Sequence, residues 1–209
     1  FSNTGLHHLW KVGVGVLALT AFVLVGLAPQ GVQAQQQTFT VNSNGDANDA
    51  SVGDGNCATA GGNCTLRAAI QEANDDGAND TIEFSIPSTG TFATITPSTE
   101  FAITNPVTID GTTAPTYPSS VAGGGPVIVL DGSSLSSSSD DGIQVEASNT
   151  TIRGLAINSF PDEGIDVFDY SGVTIEDCFV GIAADDGTSN RGNLTNSDGL
   201  QDAGVDLAG

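Results

Sequence analysis

The stretch Thr150-Thr151-Ile152-Arg153, followed by Gly154, decides the fold, because similar tetrads recur along the chain. The other copies are Val107-Thr108-Ile109-Asp110, Ile128-Val129-Leu130-Asp131 and Val173-Thr174-Ile175-Glu176. Their third members are spaced 21, 22 and 23 residues apart, and Gly142-Ile143-Gln144-Val145 recurs 22 residues on as Gly164-Ile165-Asp166-Val167. Repeats of this length indicate a solenoid, whose units bury their apolar faces only by stacking on one another.

Within each repeat, apolar residues mostly alternate with polar or small ones, which is the period of a half-buried strand. Gly, Asn, Asp and Ser fill the intervals and favour turns. About 22 residues at roughly 3.3 Å each make one turn of three short strands. A leucine-rich repeat has a similar length, but its Leu/Asn consensus and helical half-repeat are missing. The pattern therefore predicts an all-β fold, a parallel β-helix, over residues 81–209.

Residues 1–34 differ from the rest of the chain. An apolar run from Val12 to Ala28 follows Lys11, and Val32-Gln33-Ala34 resembles a cleavage site, so this segment is predicted to be a secretory signal peptide. An uncleaved membrane anchor is the alternative, because the run approaches membrane-spanning length. Either way we expect a secreted or cell-surface protein. The chain starts at Phe1 and stops at Gly209, and we expect both ends to be truncations of a longer reading frame.

Residues 35–80 are predicted to form an N-terminal cap. A strand at Thr38–Val41 precedes an acidic, Gly-rich loop over 42–63 and then one helix over 65–74. Thr65 can cap this helix, and its apolar residues share one face. We expect the helix to cover the open end of the solenoid.

Three cysteines are present. Cys57 and Cys64 flank a Gly-rich turn, and in an exported protein we expect them to form a disulfide. A metal site is the alternative, but the chain after residue 8 has no His and only one further Cys, Cys178. Cys178 takes an inward apolar position and is predicted to be a buried free thiol.

The formal net charge is −21, with only four basic residues. Nucleic-acid binding is therefore excluded, and contact with an anionic membrane is expected only through the signal segment. A solvating surface suited to a salty habitat is the simplest interpretation of such acidity.

The segment Cys64-Thr65-Leu66-Arg67-Ala68-Ala69-Ile70 resembles the Cys-Ser-Leu-Arg-Glu-Ala motif of the CSLREA domain, found in exported bacterial and archaeal proteins. Later segments of the chain are similar to the repeats that follow this motif, namely Thr81–Pro87, Pro106–Thr113 and Val180–Ile182 with Arg191–Asn193. The resemblance implies a right-handed parallel β-helix of the pectate-lyase-like type, with adhesin-like roles and no agreed activity. Ala68 replaces the motif's Glu and Thr65 its Ser, so any ion pair of that Glu is absent here.

The last residue of each tetrad is predicted to point outward, so that Asp110, Asp131, Arg153 and Glu176 stack in successive turns. Asp131, Arg153 and Glu176 would then alternate in sign, whereas Asp110 and Asp131 would repel. We expect this ladder to be structural, because exposed ion pairs contribute little.

Polysaccharide cleavage is the alternative to a non-enzymatic role, because it needs neighbouring carboxylates and, in a lyase, a basic residue. The carboxylate candidates lie on one predicted turn and the next, and the base would be Arg153 or Arg191. The carboxylates are Asp162, Glu163, Asp166, Asp169, Asp185 and Asp186. Histidine-dependent triads are excluded from the mature chain, and no phosphate-binding loop is found.

Calcium is the one ion that the sequence suggests. Asp46, Asn48, Asp49 and Asp54 offer hard oxygen ligands in a Gly-rich loop, although their spacing does not match a helix–loop–helix site. No other cofactor is expected. We predict a structural or adhesive module whose partners are extracellular glycans or surface proteins, with a polysaccharide lyase or glycoside hydrolase as the alternative.

Overall fold

The computed structural model describes residues 35–87, 90–119, 124–185, 189, 192–193 and 204–208. The predicted signal peptide lies outside these residues. No helix among the described residues has the length and apolar character needed to cross a membrane.

Within the described residues the chain forms short strands and one α-helix, α1 (Leu66–Asp76). The strands are β1 (Thr38–Val41), β2 (Asp80–Phe84), β3 (Ala93–Ile95), β4 (Phe101–Ile103), β5 (Val107–Asp110), β6 (Ile128–Asp131), β7 (Ile143–Val145), β8 (Thr151–Arg153), β9 (Leu155–Asn158), β10 (Ile165–Phe168), β11 (Thr174–Glu176), β12 (Phe179–Val180) and β13 (Val205–Ala208). Two 3₁₀ turns, Gly111–Thr113 and Gly132–Ser134, follow β5 and β6.

These strands form three sheets in which every strand pair is parallel. The first sheet has the order β1-β2-β5-β8-β11, the second β3-β6-β9-β12 and the third β4-β7-β10-β13. From β2 onward, each strand pairs with the strand three places later in the chain. The predicted all-β, parallel-strand architecture is thus confirmed.

The core lies between the sheets and is built from alternating strand residues. Ile109, Leu130, Ile143, Ile152 and Ile165 are all fully buried, as the alternation predicted. Burying an aliphatic side chain contributes about 1.5–3 kcal/mol, so the stacked apolar positions are the main source of stability. The repeat of Gly142–Val145 at Gly164–Val167 is also confirmed, because Ile143 pairs with Ile165 and Val145 with Val167.

The tetrad Ile128–Asp131 lies in a different sheet from the other three tetrads. The predicted ladder of four stacked residues is therefore wrong at Asp131. Asp110 pairs with Arg153 and Arg153 with Glu176 in the first sheet, whereas Asp131 pairs with Asn158 in the second. The cause is local. Asp110 and Asp131 each accept a hydrogen bond from the backbone N–H two residues on, so the tetrad marks a strand followed by an Asp-Gly turn in either sheet.

Asp110 is also buried, whereas the sequence predicted an exposed member of the ladder. It forms an ion pair with Arg153, and Thr112 donates to it through its backbone N–H at 3.0 Å. Burial alone would raise the pKa of Asp110, but the hydrogen bonds from Arg153 and Thr112 lower it below its ordinary value. Arg153 also lies 3.7 Å from Glu176. The first sheet therefore carries an alternating acid–base–acid row without the predicted Asp110–Asp131 repulsion.

Helix α1 begins at its predicted cap. The Thr65 side chain accepts a hydrogen bond from the backbone N–H of Ala68, and Gly77 ends the helix in the left-handed region, with φ at 72°. The helix contacts β1, β2 and β4. Its Asn74 donates to the Ala102 carbonyl at 2.9 Å, on the outer edge of β4. This contact occupies an edge that would otherwise expose unpaired backbone groups.

Candidate functional site

An open cleft of about 580 Å³ lies on the outward face of the third sheet. Because Ile143, Val145, Ile165 and Val167 point into the core, the residues between and after them point outward. The side chains that line the cleft come from two successive turns of chain and are Gln144, Glu146, Phe168, Asp169 and Tyr170.

Backbone hydrogen bonds hold the two sides of this cleft together. Beyond the β7–β10 pairing, the N–H of Glu146 donates to the carbonyl of Ile103 at 2.8 Å. The N–H of Asn149 donates to the carbonyl of Ser171 at 2.9 Å. Asp169 takes a left-handed backbone conformation, with φ at 53°, which Asp tolerates better than most residues. The cleft is therefore built on fixed backbone rather than on a free loop.

Two aromatic rings are exposed in the cleft. Phe168 is 58% exposed and Tyr170 is 41% exposed. A bulky apolar side chain at the surface is informative when it lies in a concave place beside polar groups, since such places are where ligands bind. Here Gln144 offers an amide, and Glu146 and Asp169 offer carboxylates, around the two rings.

Three carboxyl groups gather where β7 and β10 begin. One carboxylate oxygen from each of Asp141, Asp162 and Glu163 lies within 4.8 Å of the other two. Among the described residues, this is the one group of three acidic, His or Cys side chains that is close enough to hold a metal ion. The backbone N–H of Glu163 donates to Asp141 Oδ1 at 3.0 Å, and the N–H of Gly142 donates to the carbonyl of Glu163 at 2.9 Å. These bonds join two successive turns of chain.

Burial raises the pKa values of two members of this acidic trio. Burial, together with a side-chain hydrogen bond to Glu163, raises the pKa of Asp141 to about 8. Burial also raises the pKa of Glu163, which the hydrogen bond from Asp141 offsets in part. Asp141 is 6% exposed, and its carboxyl group accepts the hydrogen bond from the backbone N–H of Glu163.

Acidic side chains continue across the third sheet from the trio toward the cleft. Asp166 pairs in register with Gln144 on one side and with Asp206 on the other. Burial, and then the charges of Asp206 and Asp162, raise the pKa of Asp166. The face thus presents carboxylates from one end of its strands to the other.

The structure does not bring the predicted catalytic residues together. Asp166 lies on the third sheet, whereas Arg153 is paired with Asp110 on the first. Asp185 lines a separate cavity of about 180 Å³ beside the second sheet, with Asp131 and Asn158. Asp186 and Arg191 lie outside the described residues. Asp162 and Glu163 are in the trio and Asp169 in the cleft. Asp166 and Asp185 are separated by close to one repeat in the sequence, but the structure places them beside different sheets.

The predicted calcium ligands are directed to protein donors instead of to a common point. Asp46 binds Arg67 at 2.8 Å and accepts from the Ser98 hydroxyl, while Asn48 accepts from Gln71. Asp49 accepts from the backbone N–H groups of Ser51 and Ala58, and Asp54 accepts from that of Asn56. The side chains that the sequence suggested as calcium ligands thus form hydrogen bonds and an ion pair within the protein, and these contacts organise the loop.

The predicted disulfide is confirmed, whereas the predicted free thiol is less buried than expected. Cys57 and Cys64 form a disulfide, and Cys178 is free. Cys178 is half-buried, and burial raises the pKa of its thiol above the ordinary value. The disulfide ties the acidic loop to the residue just before the cap of α1.

Sequence reasoning missed the two aromatic residues of the cleft. The signal was present in Asp166-Val167-Phe168-Asp169-Tyr170, because alternation that places Val167 in the core places Phe168 and Tyr170 outside. It also missed Asn193, which is buried, donates to the carbonyl of Ile157 and accepts from the N–H of Phe160.

Comparison of the chain with protein-family models, with curated proteins and with solved structures found no match.

Proposed function

We propose that residues 35–209 form the helix-capped end of a right-handed parallel β-helix on a secreted or surface-displayed protein. The recurrence of pairing at every third strand supports this architecture. Right-handedness follows from the strong preference of parallel strand crossovers for that hand. The edge contacts of α1 support its role as a cap, and the Cys57–Cys64 disulfide supports an exported location.

The module acts by non-covalent binding of an extracellular glycan in the cleft on the third sheet. The observation that carries this proposal is the exposure of Phe168 and Tyr170 beside Gln144, Glu146 and Asp169. The C–H groups of a sugar ring can pack on an aromatic face, while amide and carboxylate oxygens accept hydrogen bonds from its hydroxyls. A rigid backbone lowers the entropic cost of binding.

The test measures binding of the protein to a panel of polysaccharides and compares the wild type with the double variant Phe168→Ala/Tyr170→Ala. We expect the double variant to bind at least about tenfold more weakly, which corresponds to about 1.4 kcal/mol. Val52→Ala is the matched control, since Val52 is 50% exposed and lies in the acidic loop rather than in the cleft. Unchanged binding in the double variant, or no binding by the wild type, would overturn the proposal.

The same experiment distinguishes polysaccharide cleavage from binding alone. New reducing ends or unsaturated products formed by the wild type would identify an enzyme rather than a binding module. Binding without products is the result expected from the proposal.

A further inference from the structure

We infer that the cleft selects a glycan that carries protonated amino groups over its neutral and anionic counterparts. This inference rests on the proposed glycan-binding function and specifies the chemical class of the ligand. It follows from the charges around the two aromatic rings.

Carboxylates lie beside the two aromatic rings of the cleft. Glu146 and Asp169 lie in the cleft itself, and Asp166 and Asp206 lie in register on the same sheet. A uronic acid or a sulfated sugar would place like charges next to these groups and would be repelled. A sugar with an ammonium group would gain an attraction there.

The arginines in the described part of the chain are paired away from these carboxylates. Among the described residues, Arg67 is paired with Asp46, and Arg153 with Asp110 and Glu176. Neither arginine lines the cleft. The carboxylates of the cleft therefore have no arginine partner within the described part of the chain, and a cationic ligand can supply the missing positive charge.

The aromatic rings of the cleft also favour a cationic ligand. An ammonium group within about 6 Å of an aromatic face gains about 0.5–1 kcal/mol at an exposed site, and more when water is excluded. Phe168 and Tyr170 beside Glu146 and Asp169 combine this attraction with charge pairing. Rings and carboxylates around one cleft thus favour an amino sugar over a hydroxyl-only sugar.

The experiment measures binding of the protein to four polymers of similar length: a 2-amino-2-deoxyglucan, its N-acetylated form, a neutral glucan and a polyuronate. At a mildly acidic pH, where the amines are protonated, we expect the amino form to bind at least about tenfold more tightly than the N-acetylated form. The preference should shrink as ionic strength rises from about 0.05 M to 0.5 M, because salt screens charge pairs.

The variants Glu146→Gln and Asp169→Asn separate charge from shape. Each keeps a hydrogen-bonding side chain, and Asn tolerates the left-handed backbone at position 169. We expect both variants to lose most of the preference for the amino form and to retain binding to the N-acetylated form. Asp75→Asn removes the same charge from an exposed position on α1 and should leave the preference unchanged.

A flexible synthetic polyamine without sugar rings controls for the overall negative charge. Equal binding of that polyamine, or a preference insensitive to Glu146→Gln and Asp169→Asn, would overturn the inference. Equal or tighter binding of the neutral polymers would also overturn it, while leaving the proposed glycan binding intact. Failure of all four polymers to bind would overturn both proposals.

Discussion

Arg153 shows how one side chain can stabilise a buried charge between turns of chain. It pairs with Asp110, whose side chain is 8% exposed, and with Glu176, whose side chain is 49% exposed. Removing one partner of a buried pair costs more than the pair itself contributes, because the remaining charge stays out of water. The two acidic partners of Arg153 should therefore differ sharply in importance.

We expect Arg153→Met to lower the free energy of unfolding by about 1–3 kcal/mol, because Asp110 is left unpaired. Glu176→Gln is the control and should cost less than about 1 kcal/mol, since that carboxylate is exposed. Urea denaturation at neutral pH measures both. The pKa of Asp110 is lowered in the folded state, so its stabilising effect is lost as pH falls, and the Arg153→Met defect should shrink in acid. Equal losses in the two variants would contradict this account.

Thr65 holds the start of α1 through two hydrogen bonds. Its hydroxyl accepts from the N–H of Ala68 at 3.1 Å and donates to the carbonyl of Ala47 at 2.6 Å. Thr65→Val should destabilise the protein by about 1–2 kcal/mol, whereas Thr65→Ser keeps the oxygen and should cost clearly less. Thermal unfolding of both variants measures the difference. The cap explanation would be wrong if Ser were as harmful as Val at this position.

At the scale of elements, the acidic loop is held by contacts from α1 as well as by its disulfide. Glu72 is buried and accepts from the backbone N–H groups of Gly53 and Gly55, both at 2.9 Å. Burial raises the pKa of Glu72, and these two hydrogen bonds offset the effect in part. The loop is therefore held in place by α1 rather than being a solvated insertion.

The disulfide should contribute through the loop that it closes. Replacing both Cys57 and Cys64 by Ser is expected to cost about 2–3 kcal/mol, because a short closed loop restricts the unfolded chain. Urea denaturation with and without a reductant tests this. Reductant should destabilise the wild type and Cys178→Ser alike, and should leave the double variant unchanged. A reductant effect that persists in the double variant would show that the loss has another cause.

The elements also show how far sequence reasoning could reach. Alternation correctly placed Ile109, Leu130 and Ile152 in the core, because burial depends on the local period of two. It could not assign β6 to its sheet, because the tetrad looks the same in the first and second sheets. Sheet membership depends on which distant strand each strand pairs with, and this long-range pairing leaves no periodic signal in the local sequence. The burial of Asp110 could not be predicted from the local sequence either, because its partner Arg153 is 43 residues away.

On the scale of the whole molecule, buried carboxyl groups shift the pH of greatest stability. The pKa values of Glu72, Asp80, Asp141, Glu163 and Asp166 are all raised, in each case chiefly by burial. A folded state that binds protons more tightly than the unfolded chain loses stability as pH rises. Asp110 acts in the opposite direction and limits stability only in acid.

We expect the free energy of unfolding to fall between about pH 5 and pH 8, with Asp141 contributing up to about 1.4 kcal/mol for each pH unit. The charged groups that act on Asp141 are Glu163 and Asp166, and Asp162 completes the trio. Asp141→Asn keeps a donor toward Glu163 and should flatten this decline. Urea denaturation across the pH range measures the slope. A slope that Asp141→Asn leaves unchanged would remove the trio from the explanation.

Pairing between successive strands of the first sheet is independent of the length of chain that joins them. Ile82, Ile109, Ile152 and Ile175 stack in register although they are 27, 43 and 23 residues apart. Doubling the length of a flexible connection adds only about 0.6 kcal/mol to the cost of closing it. Mutation can therefore lengthen or replace a side loop while the buried ladder stays as it is. Such a molecule can diversify what it displays to its surroundings with little risk to its ability to fold.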